Sequence, residues 1–182
     1  MNITKIELLN FRNYNKKIFR NLKKINMIIG TNGSGKTSIL ESIYICSIGK
    51  SFRTNIDSSI VNEKSSNYKI KISTKENKIT TKLELLYNGK GKKTKINNNQ
   101  TRKLSEFIGK YKTVLFSPDE VKLIKDSPSC RRSYLNIQLS QLEKKYLKYL
   151  NDYNLLIKNK NDYLKKLCLN GNLDQKYLDV ID

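Results

Sequence analysis

The stretch IIGTNGSGKTSIL at residues 28–40 constrains the fold of this chain more than any other feature. It contains three of the eight glycines, in a chain that is otherwise rich in lysine, asparagine and isoleucine. Its spacing is that of G-x-x-x-x-G-K-[ST], and the fixed positions fall on Gly30, Gly35, Lys36 and Thr37. Glycines admit backbone angles closed to other residues, and they let N–H groups approach phosphate oxygens. The stretch therefore predicts a loop that binds phosphate groups.

The segments on either side of this loop supply the context that the motif needs. Residues 25–29 form a short apolar run, which is typical of a buried parallel strand. After the loop, KTSILESIYICSI places Ile39, Ile43 and Cys46 on one helical stripe, and Gly49 follows as a predicted C-cap. Strand, loop and helix in this order predict an α/β fold of the P-loop NTPase class.

Each part of the loop has an expected role in binding a nucleotide. Lys36 is expected to reach the β- and γ-phosphates, and the Thr37 hydroxyl is expected to ligate Mg²⁺. The N-terminus of the following helix adds partial positive charge. The predicted cofactor-binding residues of the loop are Gly30, Thr31, Asn32, Gly33, Ser34, Gly35, Lys36, Thr37 and Ser38. A glycine-rich turn that binds nothing is the alternative, and it would not require all the fixed residues together.

Composition narrows the class of function. The chain of 182 residues carries a net charge of +20, which favours an anionic partner such as nucleic acid. Coding bias toward lysine would give the same charge, so composition alone leaves both explanations open. There is no histidine and the three cysteines form no pair motif, which argues against a zinc site or a histidine-activated nucleophile. The odd cysteine count favours a reducing cytosol, and no apolar run is long enough to span a membrane.

Alternation of apolar and polar residues predicts a series of β-strands. The predicted strands cover residues 2–11, 14–19, 67–74, 78–88 and 92–97, with NGKG at 88–91 as a hairpin turn. Residues 101–109 predict a short helix, and residues 111–118 predict an apolar strand that ends at Pro118. These elements assign residues 1–126 to the N-terminal part of the α/β domain.

Beyond these strands the pattern becomes helical, and residues 127–182 are predicted to form a helical arm that is incomplete at its C-terminus. Mostly apolar and aromatic residues recur there at alternating spacings of four and three, as in a heptad repeat. They are Leu142, Tyr146, Tyr149, Tyr153, Leu156, Lys160, Tyr163 and Leu167. LNGN at 169–172 is predicted to end the helix. The stripe favours packing on a partner helix, and an amphipathic helix packed on its own domain is the alternative.

The loop GTNGSGKT, with LLNFRNY upstream, resembles the ABC-type ATPase heads of the SMC, Rad50 and RecF group. Three further stretches resemble the RecF family in particular: SIGKSFRT at 47–54, VLFSPDEVKLIKDSP at 114–128, and the helical stretch at 131–165. The resemblance implies an ABC-type ATPase head at 1–126 that binds ATP and Mg²⁺. It also implies that Arg12 and Asn13 line the nucleotide, Arg12 as a second cation and Asn13 through a hydrogen bond. A plain inter-strand turn is the alternative for FRNY.

Two further groups of residues carry less specific expectations. In heads of this group the segment FSPDE links nucleotide state to the helical domain, so three residues are candidates for a water-mediated Mg²⁺ contact: Ser117, Asp119 and Glu120. Alternatively, this segment caps a helix, with Ser117 as the N-cap. Three residues after the loop helix are expected either to touch DNA or to stabilise the loop: Lys50, Arg53 and Thr54.

The resemblance also implies a function, that of an ATP-dependent DNA-binding protein of recombinational repair and replication restart. Such a protein acts as an ATP-gated dimeric clamp on single- and double-stranded DNA at gaps, and with RecR and RecO it helps to load RecA. A weak, DNA-stimulated ATPase activity, a cytoplasmic location and a link to the SOS response belong to the same expectation.

The chain departs from that family's pattern in what it lacks. Family members are longer, and they carry a serine-glycine signature and an apolar strand ending in acidic residues, neither of which is present here. Because these groups stabilise the transferring phosphoryl group, the chain is expected to be a truncated form or partial gene product that hydrolyses ATP negligibly. Two alternatives are a non-catalytic DNA- or protein-interaction module and an SMC- or Rad50-like structural ATPase.

Overall fold

The structure is a computed structural model that describes residues 1–118 and 127–170, with side chains described as far as residue 165. It divides into two compact units, Met1–Leu142 and Glu143–Asp182. The first unit contains the described β-strands and the helix that follows the loop. Among the described residues, none of the helices combines the length and the apolar character that crossing a membrane requires.

Six strands form one antiparallel sheet in the order β2-β1-β3-β4-β5-β6. They are β1 (Asn2–Phe11), β2 (Tyr14–Arg20), β3 (Tyr68–Glu76), β4 (Ile79–Tyr87), β5 (Lys92–Ile96) and β6 (Asn99–Gln100). The strands predicted from alternation are confirmed to within a few residues, and β6 adds a short edge. The turn between β4 and β5 closes as NGKG predicts, since the Asn88 N–H donates to the Gly91 carbonyl over 3.2 Å.

Successive side chains of each strand point to opposite faces of the sheet, and those on one face form the core. In β3, Ile70 and Ile72 are buried, while Lys71 between them lies on the opposite face. Ile72 is paired with Ile6 of β1 and with Leu83 of β4, so apolar side chains line up across three strands. This cross-strand alignment fixes the register, because a slip of one residue would expose the whole apolar set.

Helix α1 (Lys36–Ile48) contributes the other side of the core, and its predicted position is confirmed. Ile39, Ile45 and Cys46 are buried, although Ile43 of the predicted stripe is only partly buried. Gly49 ends the helix with a φ of 84°, and its N–H donates to the Ile45 carbonyl over 2.8 Å. The predicted glycine C-cap is therefore confirmed.

Lys92 of β5 attaches the C-terminus of α1 to the sheet. Its Nζ donates to the Gly49 carbonyl over 2.7 Å and lies 2.6 Å from Oδ1 of Asp57. Asp57 opens a 3₁₀ turn, Asp57–Ile60, which buries Ile60 in the core. A cation at this position satisfies a helix-terminal carbonyl and is favoured by the helix dipole.

Two apolar segments that were expected to be strands are not strands, so these predictions are wrong. Residues 25–29 leave Ile25 90% and Ile29 82% exposed, and residues 111–118 leave Phe116 90% exposed. A buried parallel strand needs neighbours and covering layers, and every strand pair among the described residues is antiparallel and lies elsewhere. Without strand partners, most apolar side chains of the two segments are exposed to solvent, although Tyr111 packs against the core.

Helix α2 (Leu104–Phe107) is a single turn, shorter than the helix predicted at 101–109, and it buries Phe107. Gly109 follows it with a φ of 76°, in the left-handed region. A Cβ at this position would lie 2.5 Å from the backbone carbonyl oxygen of Gln141. Glycine is therefore required both by the backbone angle and by the close approach of the next helix.

Gln141 of helix α3 (Pro128–Leu142) holds the start of the segment at 111–118 in place of a strand partner. Its Oε1 accepts a hydrogen bond from the Thr113 N–H over 2.8 Å, and its Nε2 donates to the Thr113 carbonyl over 3.0 Å. The same Oε1 accepts from the Ser47 hydroxyl of α1 over 2.8 Å. One buried amide thus connects α1, α3 and the segment at 111–118.

The second unit is described by helix α4 (Lys144–Asn170), and the predicted helical C-terminal segment is confirmed. Tyr149 and Tyr153 of the predicted heptad stripe are exposed. The helix continues through residues 169 and 170 of the predicted break, and the rest of that break lies outside the described residues.

Candidate phosphate-binding site

A cleft of about 800 Å³ lies where the loop meets helix α1. Residues of the loop, of the FRNY turn between β1 and β2, and of the segment after α1 line it. Among them are predicted nucleotide-binding residues: Arg12, Asn13, Asn32, Gly33, Gly35, Lys36, Thr37 and Ser38. Three other predicted loop residues do not line the cleft: Gly30, Thr31 and Ser34. Their carbonyls accept hydrogen bonds from the side chains of Lys36 and Tyr14.

Two glycines give the loop its conformation. Gly33 has a φ of 81° and Gly35 a φ of 94°, angles that residues with a Cβ rarely adopt. A Cβ at Gly35 would also lie 2.6 Å from the Tyr14 hydroxyl oxygen and 2.9 Å from Oδ1 of Asn13. The loop and the FRNY turn therefore fit together only with glycine at position 35.

The N-terminus of helix α1 is open toward the loop. Gly35 is its N-cap, no side chain caps it, and its first turn contains no acidic residue. The first N–H groups of a helix have no partner within the helix, and the dipole places partial positive charge there. Such a terminus is a ready site for an anion.

Lys36 ties the loop together. Its Nζ donates to the Gly30 carbonyl over 2.8 Å and to the Thr31 carbonyl over 2.9 Å. An ammonium group has three N–H donors, so one donor is left after these two bonds. The lysine therefore stabilises the loop and keeps a cation at the cleft, while its reach to phosphates stays a prediction.

The FRNY turn packs on the loop through two side chains. Asn13 Nδ2 donates to the Gly33 carbonyl over 3.1 Å, and the Tyr14 hydroxyl donates to the Ser34 carbonyl over 3.2 Å. Burial raises the pKa of Tyr14, so its phenol remains a protonated donor. These bonds link β1 and β2 to the loop at residues 30–37, beyond the role of a plain inter-strand turn.

Arg12 is held in a strained backbone conformation at the start of this turn. Its φ is 52°, a left-handed angle that costs about 1 kcal/mol for a residue with a side chain. The Arg12 N–H donates to the Ile60 carbonyl over 2.8 Å, and Asn62 Nδ2 donates to the Arg12 carbonyl over 2.7 Å. Hydrogen bonds with residues in and next to the 3₁₀ turn thus hold the backbone of Arg12 in this conformation.

Glu41 of α1 is fully buried and joins several groups next to the cleft. Arg12 Nε and Nη2 donate to its two oxygens over 3.0 Å and 2.6 Å, the Ser51 hydroxyl donates over 2.5 Å, and Arg53 Nη1 donates over 3.3 Å. Burial by itself raises the pKa of Glu41. The hydrogen bonds from Arg12 and Ser51 and the two arginine charges outweigh burial, so the pKa is lowered and the carboxylate is charged.

The less specific candidates fall in different places. Arg53 lines the cleft, whereas three others do not: Lys50, Thr54 and Ser117. Two candidates for the Mg²⁺ contact lie outside the described residues: Asp119 and Glu120. In the described part of the chain, no group of three or more His, Cys, Asp or Glu residues could hold a metal ion. The Thr37 hydroxyl is therefore the predicted Mg²⁺ ligand that the cleft contains.

Sequence reasoning missed Glu41 and Ser51, although one signal pointed to Glu41. It precedes Ile45 by four residues and Ile48 by seven, so it shares their helical stripe and had to be buried with them. A charge on a buried stripe needs a partner, and Arg12 and Arg53 stand out in a chain whose cations are mostly lysine. No local signal identified Ser51.

A family model described as AAA ATPase domain matches residues 1–180 of the chain. The DNA replication and repair protein RecF of Clostridioides difficile is 39% identical over 183 residues, and that of Pediococcus pentosaceus is 35% identical over 181 residues. Both alignments cover 100% of this chain and 48% of the relative. The chain thus spans about half the length of the curated relatives it matches.

Solved structures of the recombination mediator protein RecF show the same fold over this chain. One, solved as RecF-ATP, gives a TM-score of 0.92 at 31% identity and covers 99% of this chain and 48% of that one. Another, solved as RecF-ATPrS, gives a TM-score of 0.92 at 32% identity, with 99% and 49% covered. These matches confirm the resemblance predicted from the motifs.

Proposed function

The chain belongs to the AAA ATPase domain family, and on this basis we propose that its loop at residues 30–37 binds the triphosphate of ATP. The observation that carries the proposal is the geometry of the loop: Gly33 and Gly35 adopt left-handed angles, no side chain caps the N-terminus of α1, and Lys36 lies at the cleft. The cleft volume of about 800 Å³ is within the usual range for small-molecule sites.

Lys36 and Thr37 have different roles in this proposal. The remaining N–H donor of Lys36 binds a phosphate oxygen, and the Thr37 hydroxyl would ligate Mg²⁺. When bound, Mg²⁺ would neutralise part of the phosphate charge. Arg12 and Arg53 line the same cleft and add positive charge around an anionic ligand.

We further propose that the whole protein uses ATP to control binding to single- and double-stranded DNA in recombinational repair and replication restart. In this proposal it is a dimeric clamp at single-strand gaps that works with RecR and RecO to load RecA. ATP closes the clamp because it binds the closed dimer more tightly than the open form. The relatives are DNA replication and repair proteins, which supports the DNA-binding part of this proposal.

The outer face of the sheet supports DNA binding by its charge. Cations on this face outnumber carboxylates, and phosphate backbones are bound mainly through such cations. The cations are Lys5, Lys16, Arg20, Lys69, Lys71, Lys75, Lys82, Lys93 and Lys95, against Glu7 and Glu84. For the 182-residue chain itself, we propose ATP binding with negligible hydrolysis.

A non-catalytic interaction module is the second candidate function. Its supporting observation is helix α4, where Tyr149 and Tyr153 of the heptad stripe are 65% and 61% exposed. Aromatic side chains at heptad spacing are suited to packing against a partner helix.

Titration with a fluorescent ATP analogue tests the first proposal. We expect Lys36→Ala to weaken binding at least about tenfold, because a charge-assisted contact with the phosphates is lost. Lys50→Ala is the matched control, since Lys50 is exposed and does not line the cleft. Equal affinity of Lys36→Ala and the unmodified protein would show that the loop is not the ATP site.

The salt dependence of DNA binding shows whether the outer face of the sheet or helix α4 binds DNA. Replacing Lys93 and Lys95 by glutamine is expected to reduce the slope of log K against log salt by about 0.9 per lysine. Replacing Lys144 and Lys145 of α4 by glutamine is the matched control and is expected to change the slope less. The reverse result would favour α4 as the DNA-binding element.

A further inference from the structure

Glu41 has no role in the proposed contacts with ATP, although it is bonded to residues that line the cleft. A buried carboxylate close to a phosphate site is unfavourable by charge alone, because two anions repel each other strongly away from water. Burial of an ion is also costly unless it is well paired. Its position therefore calls for a role that outweighs both costs.

The contacts of Arg12 show what the carboxylate does. Arg12 Nε and Nη2 bind the two oxygens of Glu41 as a bidentate pair over 3.0 Å and 2.6 Å, and Nη1 donates to the Ser59 carbonyl over 2.8 Å. A bidentate pair fixes the plane of a guanidinium as well as its position. Of its five N–H groups, two remain after these bonds to the described residues.

Arg53 also contacts the carboxylate of Glu41. Its Nη1 lies 3.3 Å from Oε2 of Glu41, and its side chain is 44% exposed where it lines the cleft. The Ser51 hydroxyl donates to Glu41 and accepts from the Arg53 N–H over 2.9 Å, which fixes the backbone that carries Arg53. Two guanidinium groups share one carboxylate, so the cluster as a whole remains cationic.

We propose that Glu41 is a positioning residue for the nucleotide. Its buried carboxylate holds Arg12 and Arg53 on one wall of the cleft, where their remaining N–H groups bind the anionic oxygens of the phosphates. By fixing Arg12, it also holds the strained turn that places Asn13 and Tyr14 on the loop. The inference rests on the proposed binding of ATP by the loop.

The sign of the effect of Glu41→Gln distinguishes positioning from charge. By charge alone, removing a carboxylate would tighten the binding of an ATP analogue. If the carboxylate positions Arg12, binding weakens, because glutamine has one acceptor oxygen in place of two and turns its own N–H donor toward a guanidinium. We expect the Kd of a fluorescent ATP analogue to rise about tenfold.

Glu63→Gln is the matched control for this measurement. It removes a carboxylate that is exposed and lines the same cleft, so it is expected to lower the Kd through charge. Unchanged or tighter binding by Glu41→Gln, as for Glu63→Gln, would overturn the positioning role.

Arg12→Lys tests whether Glu41 acts through Arg12. Lysine keeps the positive charge but lacks the planar guanidinium that binds a carboxylate bidentately. The substitution therefore removes the orienting contact with Glu41 from the arginine side. If Glu41 acts through Arg12, Glu41→Gln raises the Kd less in an Arg12→Lys background than in the unmodified protein, and the rise that remains reports the part that acts through Arg53. Losses that add independently would contradict the proposal.

Ser51→Ala is a milder variant that covers the case in which Glu41→Gln impairs folding. It removes one hydrogen bond to Glu41 and no charge, and we expect the Kd to rise about threefold. The stoichiometry of the titration reports the folded fraction, whereas the Kd reports the affinity of folded protein. A purely structural role would lower the stoichiometry and leave the Kd unchanged.

The outcomes separate this inference from the function on which it rests. If the unmodified protein does not bind the ATP analogue, or binds it no better than Lys36→Ala, the proposed function fails. If Lys36→Ala weakens binding while Ser51→Ala and Glu41→Gln bind like the unmodified protein, only the positioning role fails.

Discussion

The sheet and the two apolar segments at residues 25–29 and 111–118 contain similar residue types but have opposite environments. In the sheet, every strand is hydrogen-bonded to a neighbour, and inward side chains such as Leu85 are fully buried. In the segments, Ile25 and Phe116 are each 90% exposed, and neither segment pairs with a strand among the described residues.

This difference shows that an apolar run becomes a strand only where a neighbour completes its hydrogen bonds. Antiparallel neighbours joined by short turns, such as β3 with β4 and β4 with β5, lie next to each other in the sequence. A parallel strand takes its neighbours from distant parts of a chain, through long crossover connections. The stability of this chain should therefore depend on the sheet and little on the two segments.

Truncation in the sheet is expected to have the largest effect. Leu85→Ala should lower the free energy of unfolding by about 3 kcal/mol, because it removes buried methyl groups and leaves a cavity. Leu86→Ala is the matched control, since this neighbour lies on the outer face and is only partly buried. Urea denaturation measures both, and equal losses would mean that the two faces do not differ as described.

Loss of Gln141 should have the next largest effect, because Gln141 holds Thr113 of the segment at 111–118 in place. Gln141→Leu leaves the Thr113 N–H and carbonyl without their partner and should lower the free energy of unfolding by about 2 kcal/mol. Gln138→Leu, whose side chain makes a single 3.4 Å contact with Gln141, is the control. Hydrogen exchange at Thr113 that is unchanged in Gln141→Leu would contradict this account.

Lys92→Met should have a smaller effect, of about 1 kcal/mol, because it removes a cation that pairs with Asp57 and binds the C-terminus of α1. Thermal unfolding at low and high salt measures it, and the loss should shrink as salt screens the pair. Lys93→Met removes an exposed lysine on the outer face and serves as the reference. A loss that does not respond to salt would argue against the ion pair.

Ile29→Ser should have the smallest effect, within about 0.5 kcal/mol, because a side chain that is 82% exposed contributes little burial. Ile70→Ser, in the sheet, is the comparison and should be strongly destabilising. A large loss of stability from Ile29→Ser would break the contrast between the sheet and the segments.

Much of the fold could be predicted because its signals are local. The alternation in β3 and β4, the turn at 88–91 and the limits of helix α1 with Gly49 all depend on neighbours within a few residues. The strand predictions at 25–29 and 111–118 are wrong because an apolar run forms a strand only where a partner strand pairs with it, and such partners are distant in the sequence. The helix predicted at 101–109 is longer than the single turn α2 because its length depends on distant contacts: the Gly109 N–H donates to the Ser47 carbonyl of α1 over 3.4 Å instead of extending the helix.

The candidate site was predictable for the same reason, and only in part. The loop residues follow a fixed spacing, so Gly33 and Gly35 adopt angles closed to most other residues, and Lys36 lines the cleft with them. Asn13 was expected to bind the nucleotide, and the structure shows it bonded to the loop. Glu41 bonds to Arg12, which is 29 positions away, and to Ser51 and Arg53 at 10 and 12 positions, so the assembled fold was needed to establish which residues are its partners.

The buried thiol of Cys46, on helix α1, can report how often this helix separates from the core. Burial raises its pKa and prevents contact with reagents, so the thiolate needed for alkylation forms only when the helix lifts away. Cys130, which is partly exposed, should react at once and calibrate the reagent. The rate at which a maleimide modifies Cys46, followed by peptide mass, would then measure how often α1 separates from the sheet.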